Sequence, residues 1–170
     1  MAGQPADEPI ATLRVIPDGN AGIAATLDQM VRYTRQYRTD LMMRNLAEDI
    51  VAAVPQKQWL AEVEAIQNWV RENIRYTQDI SDVETLKTPI KLFYDRFGDC
   101  DDMALFTGTL LQSIGHPVRY VATSSNDQGE YDHVYLQTKV GSRWIGVETT
   151  EPVSIGWEPD STVRPMIRNV

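Results

Sequence analysis

The sequence has one cysteine, Cys100, and only two histidines, His116 and His133, in 170 residues. A single thiol excludes an internal disulfide and the cysteine-rich zinc sites. Two imidazoles would leave any metal to carboxylates, and no HExxH, EF-hand or phosphate-loop pattern is present. No metal and no cofactor is expected. Long apolar runs are also missing: none approaches the ~20 residues a membrane helix needs, so no membrane partner is expected. The opening residues, MAGQPADEPI, lack the basic and apolar regions of a secretion signal. Residues 1–10 read as a flexible lead-in, and the expected location is cytoplasmic. Basic charge is scarce, with 16 Lys and Arg against 24 Asp and Glu and a formal charge of −8. Such a surface repels phosphate backbones, so nucleic acid is not an expected partner. Arg32, Arg35, Arg38 and Arg44 come closest to a basic patch, but Asp28, Asp40, Glu48 and Asp49 interleave them. That pattern is a solvated helix face.

What is present suits one globular domain spanning 1–170, with 42% hydrophobic and 24% charged residues. Residues 11–16 suit a short strand before the turn-prone Pro17-Asp18-Gly19-Asn20. Helical spacing follows from Ala24 to about Tyr37. A second helix is capped by Thr39-Asp40, with Leu41, Met42, Leu46, Ile50 and Val51 as its buried stripe, and closed by Pro55. Trp59, Leu60, Val63, Ile66, Val70 and Ile74 mark a third. Residues 77–88 read as a loop, and Pro89 opens a short turn with Ile90, Leu92 and Phe93 inward. Asp99 then caps a helix whose apolar face is Met103, Phe106, Leu110, Leu111 and Ile114, ended by Gly115.

Beyond Pro117 the period changes to two. Strands are expected at Val118–Thr123, Tyr131–Lys139 and Ser142–Thr149, and residues 151–170 form an irregular tail across the domain. Helices followed by an antiparallel sheet make the fold class α+β.

Cys100 falls in the first turn of its helix, where unpaired N–H groups and the helix dipole favour a thiolate. Asp99, Asp101 and Asp102 oppose this unless they turn away and cap backbone donors. A turn at Val140-Gly141 sets His133 directly opposite Glu148. Alternation sends Val134, Leu136, Ile145 and Val147 to one apolar face and His133, Tyr135, Gly146 and Glu148 to the other. Opposed Cβ atoms lie ~5 Å apart, within reach of an imidazole–carboxylate hydrogen bond. A nucleophile, a base and an orienting acid are the parts of covalent acyl transfer. The bland alternatives are a small buried cysteine, a histidine bonded on a half-exposed sheet and a simple cross-strand glutamate. His116, in Gly115-His116-Pro117, reads as a turn residue.

These residues resemble the core of the transglutaminase-like superfamily of papain-fold cysteine enzymes. The likeness is carried by Gly98-Asp99-Cys100-Asp101-Asp102 with Ala104, Leu110-Leu111, Gly115, Pro117-Val118-Arg119, His133-Val134-Tyr135 and Trp144-Ile145-Gly146-Val147-Glu148. The helix with Trp69-Val70 and Ile74-Arg75-Tyr76 extends it to roughly residues 57–150. The resemblance implies hydrolysis of a peptide or related amide through a thioester on Cys100. His133 is then the base and Glu148 the orienter, where the family usually has Asp. Should another carboxylate orient His133, Asp132 and Glu151 are the candidates. The oxyanion would be held by the Cys100 N–H and a side-chain donor, with Tyr94 and Gln78 as candidates. Asp99 and Asp102 are assigned to structure. Ile16-Pro17-Asp18-Gly19 followed by helices resembles small bacteriophage-type members. That likeness implies a virion-associated location and virion proteins as partners, and the short chain and the Glu148 departure make an inactive structural or binding protein the competing reading.

Overall fold

The computed structural model describes residues 19–78 and 86–170. Five helices and six strands follow in the order α1 (Asn20–Tyr37), α2 (Leu41–Val51), α3 (Trp59–Asn73), β1 (Arg75–Tyr76), α4 (Pro89–Asp95), β2 (Phe97–Gly98), α5 (Cys100–Ser113), β3 (Val118–Thr123), β4 (His133–Val140), β5 (Arg143–Val147) and β6 (Met166–Asn169). The strand expected at 11–16 and much of the 77–88 loop lie outside the described residues.

Local chemistry sets the helix boundaries. Asp40 accepts from the amides of Met42 and Met43 at 2.9 and 3.2 Å. Thr88 caps α4 with Pro89 at its first position, and Asp99 caps α5 by accepting from the Asp102 amide at 3.0 Å. Each side-chain oxygen satisfies backbone donors that the first turn cannot pair internally. Gly115 ends the α5 segment at φ 96°, a conformation glycine adopts without penalty.

Helix α5 is the axis of the molecule. It touches α1, α2, α3 and α4 on one side and β3 and β4 on the other. Met103 through Leu111 are all buried, including Thr107, Gly108 and Thr109. A helix apolar on nearly every side belongs in the centre of a layered fold. At Gly108 a Cβ would collide with the Tyr120 hydroxyl, so glycine lets β3 approach α5 closely.

The stripe expected on α2 is rotated. Met43 and Ala47 are fully buried, while Leu41 is 73% exposed. Leu41 sits two residues before Met43, more than half a turn around the helix, and so points away from α5. Met42, Leu46, Ile50 and Val51 flank the buried line and are only partly covered. On α3, Trp59 and Leu60 are exposed, and the core begins at Val63.

The main sheet is antiparallel with order β5-β4-β3-β6. Its last strand corrects the irregular tail: Met166–Asn169 pairs along β3 from Ala122 to Arg119. Residues 151–165 hold no helix or strand. They cross the sheet face opposite α5, where the Trp157 carbonyl and Glu158 side chain press on Gly146. A second, two-stranded parallel sheet pairs Arg75 with Phe97 and Tyr76 with Gly98.

Candidate active site

The start of β4 is brought to Cys100. The thiol is half-buried on the first residue of α5, and the backbone amide of Val134, the residue after His133, is directed at it. Nucleophile and candidate base are therefore brought to the same end of β4.

His133 and Glu148 meet, through a register that differs from the expected one. Val140 pairs with Arg143 and Leu136 with Val147, so the two-residue loop is Gly141-Ser142. Gly141 takes φ 61°, as a hairpin loop led by glycine allows, whereas the expected loop would have forced Val140 into a conformation hostile to β-branched residues. The slip is two residues. Because sheet faces alternate with period two, every side chain keeps its face. His133 and Glu148 become diagonal rather than direct neighbours, a separation that long side chains bridge. The imidazole Nε2 lies 2.7 Å from Glu148 Oε2. An ionised carboxylate only accepts, so Nε2 carries a proton, and in the neutral ring Nδ1 is the atom with the lone pair.

The carboxylate is held firmly. Its second oxygen accepts from the Thr150 amide at 2.7 Å and the Thr150 hydroxyl at 2.8 Å. Buried Gln67 on α3 donates to the Glu148 carbonyl at 2.7 Å. Burial pushes the Glu148 pKa up, but the His133 and Thr150 hydrogen bonds outweigh it and hold the group below its ordinary value. The His133 face is covered: Glu148 is 1% exposed and Tyr135 and Gln137 are buried, with the 151–165 segment lying across them. Tyr135 donates to Glu158 at 3.1 Å and stacks beside His133.

The thiol sits in a less favourable field than its helix position implies. Burial is the main cause, and the charges of Asp101 and Asp99 add to it, raising the Cys100 pKa well above its ordinary value. The Val134 amide works in the other direction. Asp99 and Asp102 do turn to the backbone, Asp102 accepting from the Lys87 amide at 2.7 Å. At Asp101, Cys100 Sγ donates to the carboxylate at 3.4 Å. Gly98 packs so closely on Asp102 and Leu92 that a Cβ has no room.

Other expected residues are elsewhere. The Tyr94 hydroxyl points at Met42 Sδ, 4.0 Å away on α2, and Tyr94 is 71% exposed. Gln78 is exposed just beyond β1. Asp132 is committed to its own loop, accepting from Ser125 and Asn126. His116 does follow the α5 turn, but it is buried and bonds Glu62 on α3 at 2.8 Å. Thr150 and Gln67 had no sequence signal, since both act through contacts made by the fold.

A cleft of about 460 Å³ opens at the end of α3, between β1 and the residues that follow β5. Ile74, Tyr76, Met103, Thr150 and Glu151 contribute to its walls. Among the described residues no cluster of three or more His, Cys, Asp or Glu could hold a metal ion, and no helix is long and apolar enough to cross a membrane.

The model of the transglutaminase-like superfamily matches residues 44–149, well over half of the chain. No curated protein matches by sequence. Among solved structures, a candidate cysteine protease from Cytophaga hutchinsonii superposes with a TM-score of 0.56 at 17% identity, covering 84% of this chain and 56% of that one. A candidate protease from Parabacteroides distasonis gives 0.58 at 11% identity, over 73% of this chain and 26% of its own. LapG of Legionella pneumophila, EGTA-treated, gives 0.52 at 19% identity, over 76% and 73%. At these identities the likeness is one of fold, and the chain spans about half or less of the first two proteins.

Proposed function

Because the chain belongs to the transglutaminase-like superfamily, we propose that it is a cysteine-dependent acyl-transfer enzyme that hydrolyses a peptide or related amide in a protein substrate. The observation that carries this reading is the His133–Glu148 hydrogen bond at 2.7 Å, at the end of β4 whose Val134 amide is directed at the Cys100 thiol. In this reading the thiol proton passes to Nδ1 as Cys100 attacks the substrate carbonyl. The raised thiol pKa favours transfer during attack over an ion pair formed beforehand. The imidazolium then returns the proton to the leaving amine, the thioester is hydrolysed by the same base acting on water, and Glu148 stabilises the cationic ring throughout.

Water is the proposed acceptor. Amine transfer needs a second surface that brings in a lysine and excludes water, whereas the cleft lined by Tyr76, Met103 and Thr150 is open to solvent. With an amide substrate and a labelled amine, free acid is the expected main product, and dominant amine incorporation at modest concentration would reverse this choice.

The Asp101 contact and the half-buried thiol favour one other reading, a binding protein that keeps the fold without turnover. Iodoacetamide separates the two. An enzyme labels at Cys100 in the native state, and a structural thiol labels only after denaturation.

A further inference from the structure

Hydrolysis at Cys100 requires two donors for the oxyanion, and the Cys100 amide is one. We propose that the Tyr76 hydroxyl is the other, an inference that rests on the acyl-transfer reading above. Its position comes from the small parallel sheet. Tyr76 pairs with Gly98, two residues before the thiol. The Arg75 amide bonds the Arg96 carbonyl and the Thr77 amide bonds the Gly98 carbonyl, both at 2.8 Å, gripping the chain on each side of Tyr76. The Tyr76 backbone is thus fixed to the segment that carries the nucleophile. It lines the cleft with Met103, one turn beyond Cys100, and with Thr150 and Glu151, which follow the orienting carboxylate.

The side chain is also suited to donate. Tyr76 is 46% exposed, and its hydroxyl makes no hydrogen bond among the described residues. Burial and then the nearness of Cys100, Asp99, Glu151 and Asp101 push its pKa up, which keeps the phenol protonated at neutral pH. A negative charge developing on a carbonyl oxygen beside Cys100 meets a neutral O–H donor there. The step balances simply. The sulfur–carbon bond forms, the carbonyl π pair moves to oxygen between the Tyr76 O–H and the Cys100 N–H, and the pair returns as the carbon–nitrogen bond breaks. The departing amine takes its proton from His133.

Two small reagents test this without knowledge of the substrate. Acylation of Cys100 by p-nitrophenyl acetate passes through a tetrahedral oxyanion, whereas alkylation by iodoacetamide does not. In the full chain, Tyr76→Phe is expected to slow acylation by about 10²-fold while leaving the alkylation rate unchanged. Equal acylation by wild type and variant overturns the inference alone. An equal fall in both rates overturns it too, since Tyr76 then acts on the thiol or the fold. If native wild-type Cys100 reacts with neither reagent, the acyl-transfer reading fails and takes the inference with it.

Discussion

The Glu148 carboxylate accepts from His133 and twice from Thr150 while almost fully buried. Glu148→Gln can keep the Thr150 bonds, but its amide then donates to Nε2 and drives the ring proton to Nδ1, the atom needed as a base. Turnover should fall steeply, by up to the ~10⁴-fold seen when a triad acid becomes its amide. A bond to a buried charge is also lost, so denaturant unfolding should register about 1–3 kcal/mol of destabilisation. Glu148→Asp shortens the reach by one methylene and is expected to retain part of the activity. Loss of fold in the Gln variant would make the carboxylate structural. At Cys100, burial and the Asp101 and Asp99 charges together raise the thiol pKa. Wild-type alkylation should therefore keep rising past the ordinary thiol midpoint of ~8.5, and Asp101→Asn should speed it at neutral pH. A plateau near pH 7 in the wild type would contradict the buried, acid-flanked thiol.

At the scale of elements, Gly146 matters because the 151–165 segment lies directly on it. Gly146→Ala pushes the Trp157 carbonyl away and loosens the Tyr135–Glu158 contact beside His133. Overpacking of this kind costs about 1–3 kcal/mol, and limited proteolysis should then cut within 151–165 sooner than in the wild type. Intact resistance would show that the segment gives way without detaching. The elements also show what a sequence reveals. Asp40, Thr88-Pro89 and Asp99 mark helix starts through local hydrogen bonds, so they were legible. His133 and Glu148 were placed on one sheet face by alternation, which survives a two-residue error in register. The Gly141-Ser142 loop was missed because Val140-Gly141 reads equally well until the φ demanded of each residue is considered. Strands β1, β2 and β6 escaped because two to four residues show no period, and their pairing partners lie far off in the chain. Tyr76 and Thr150 escaped for the same reason. Their significance is wholly tertiary.

For the molecule as a whole, the titrating groups set opposite limits on stability. Glu148 and Asp132 ionise below their ordinary values of 4.5 and 3.8 when folded. Their contribution is present above those values and is lost as pH falls through the folded ones. Cys100 ionises above its ordinary value, so its contribution is present below that value and is lost as pH rises toward the folded one. Urea unfolding across pH should show a plateau at neutral pH, falling on the acid side below about 4.5 and on the alkaline side above the ordinary thiol range of ~8.5. Glu148→Gln should flatten the acid limb, and an unchanged limb would assign it to other carboxylates. Leu110, fully buried in mid-α5, belongs to the other half of the ledger. Leu110→Ala should cost about 2–5 kcal/mol through the cavity it leaves, with native alkylation of Cys100 unaffected while the protein stays folded.

Cys100 opens α5, His133 opens β4 and Glu148 comes just after β5 ends, while the middles of α5 and β4 are packed core. Substitutions that change reactivity and those that unfold the domain therefore fall largely on different residues. A lineage can lose turnover at an element end and inherit the fold nearly undamaged, and a new chemistry can be grafted onto the same three ends. Relatives that look alike in backbone are thus free to divide into working catalysts and silent binders.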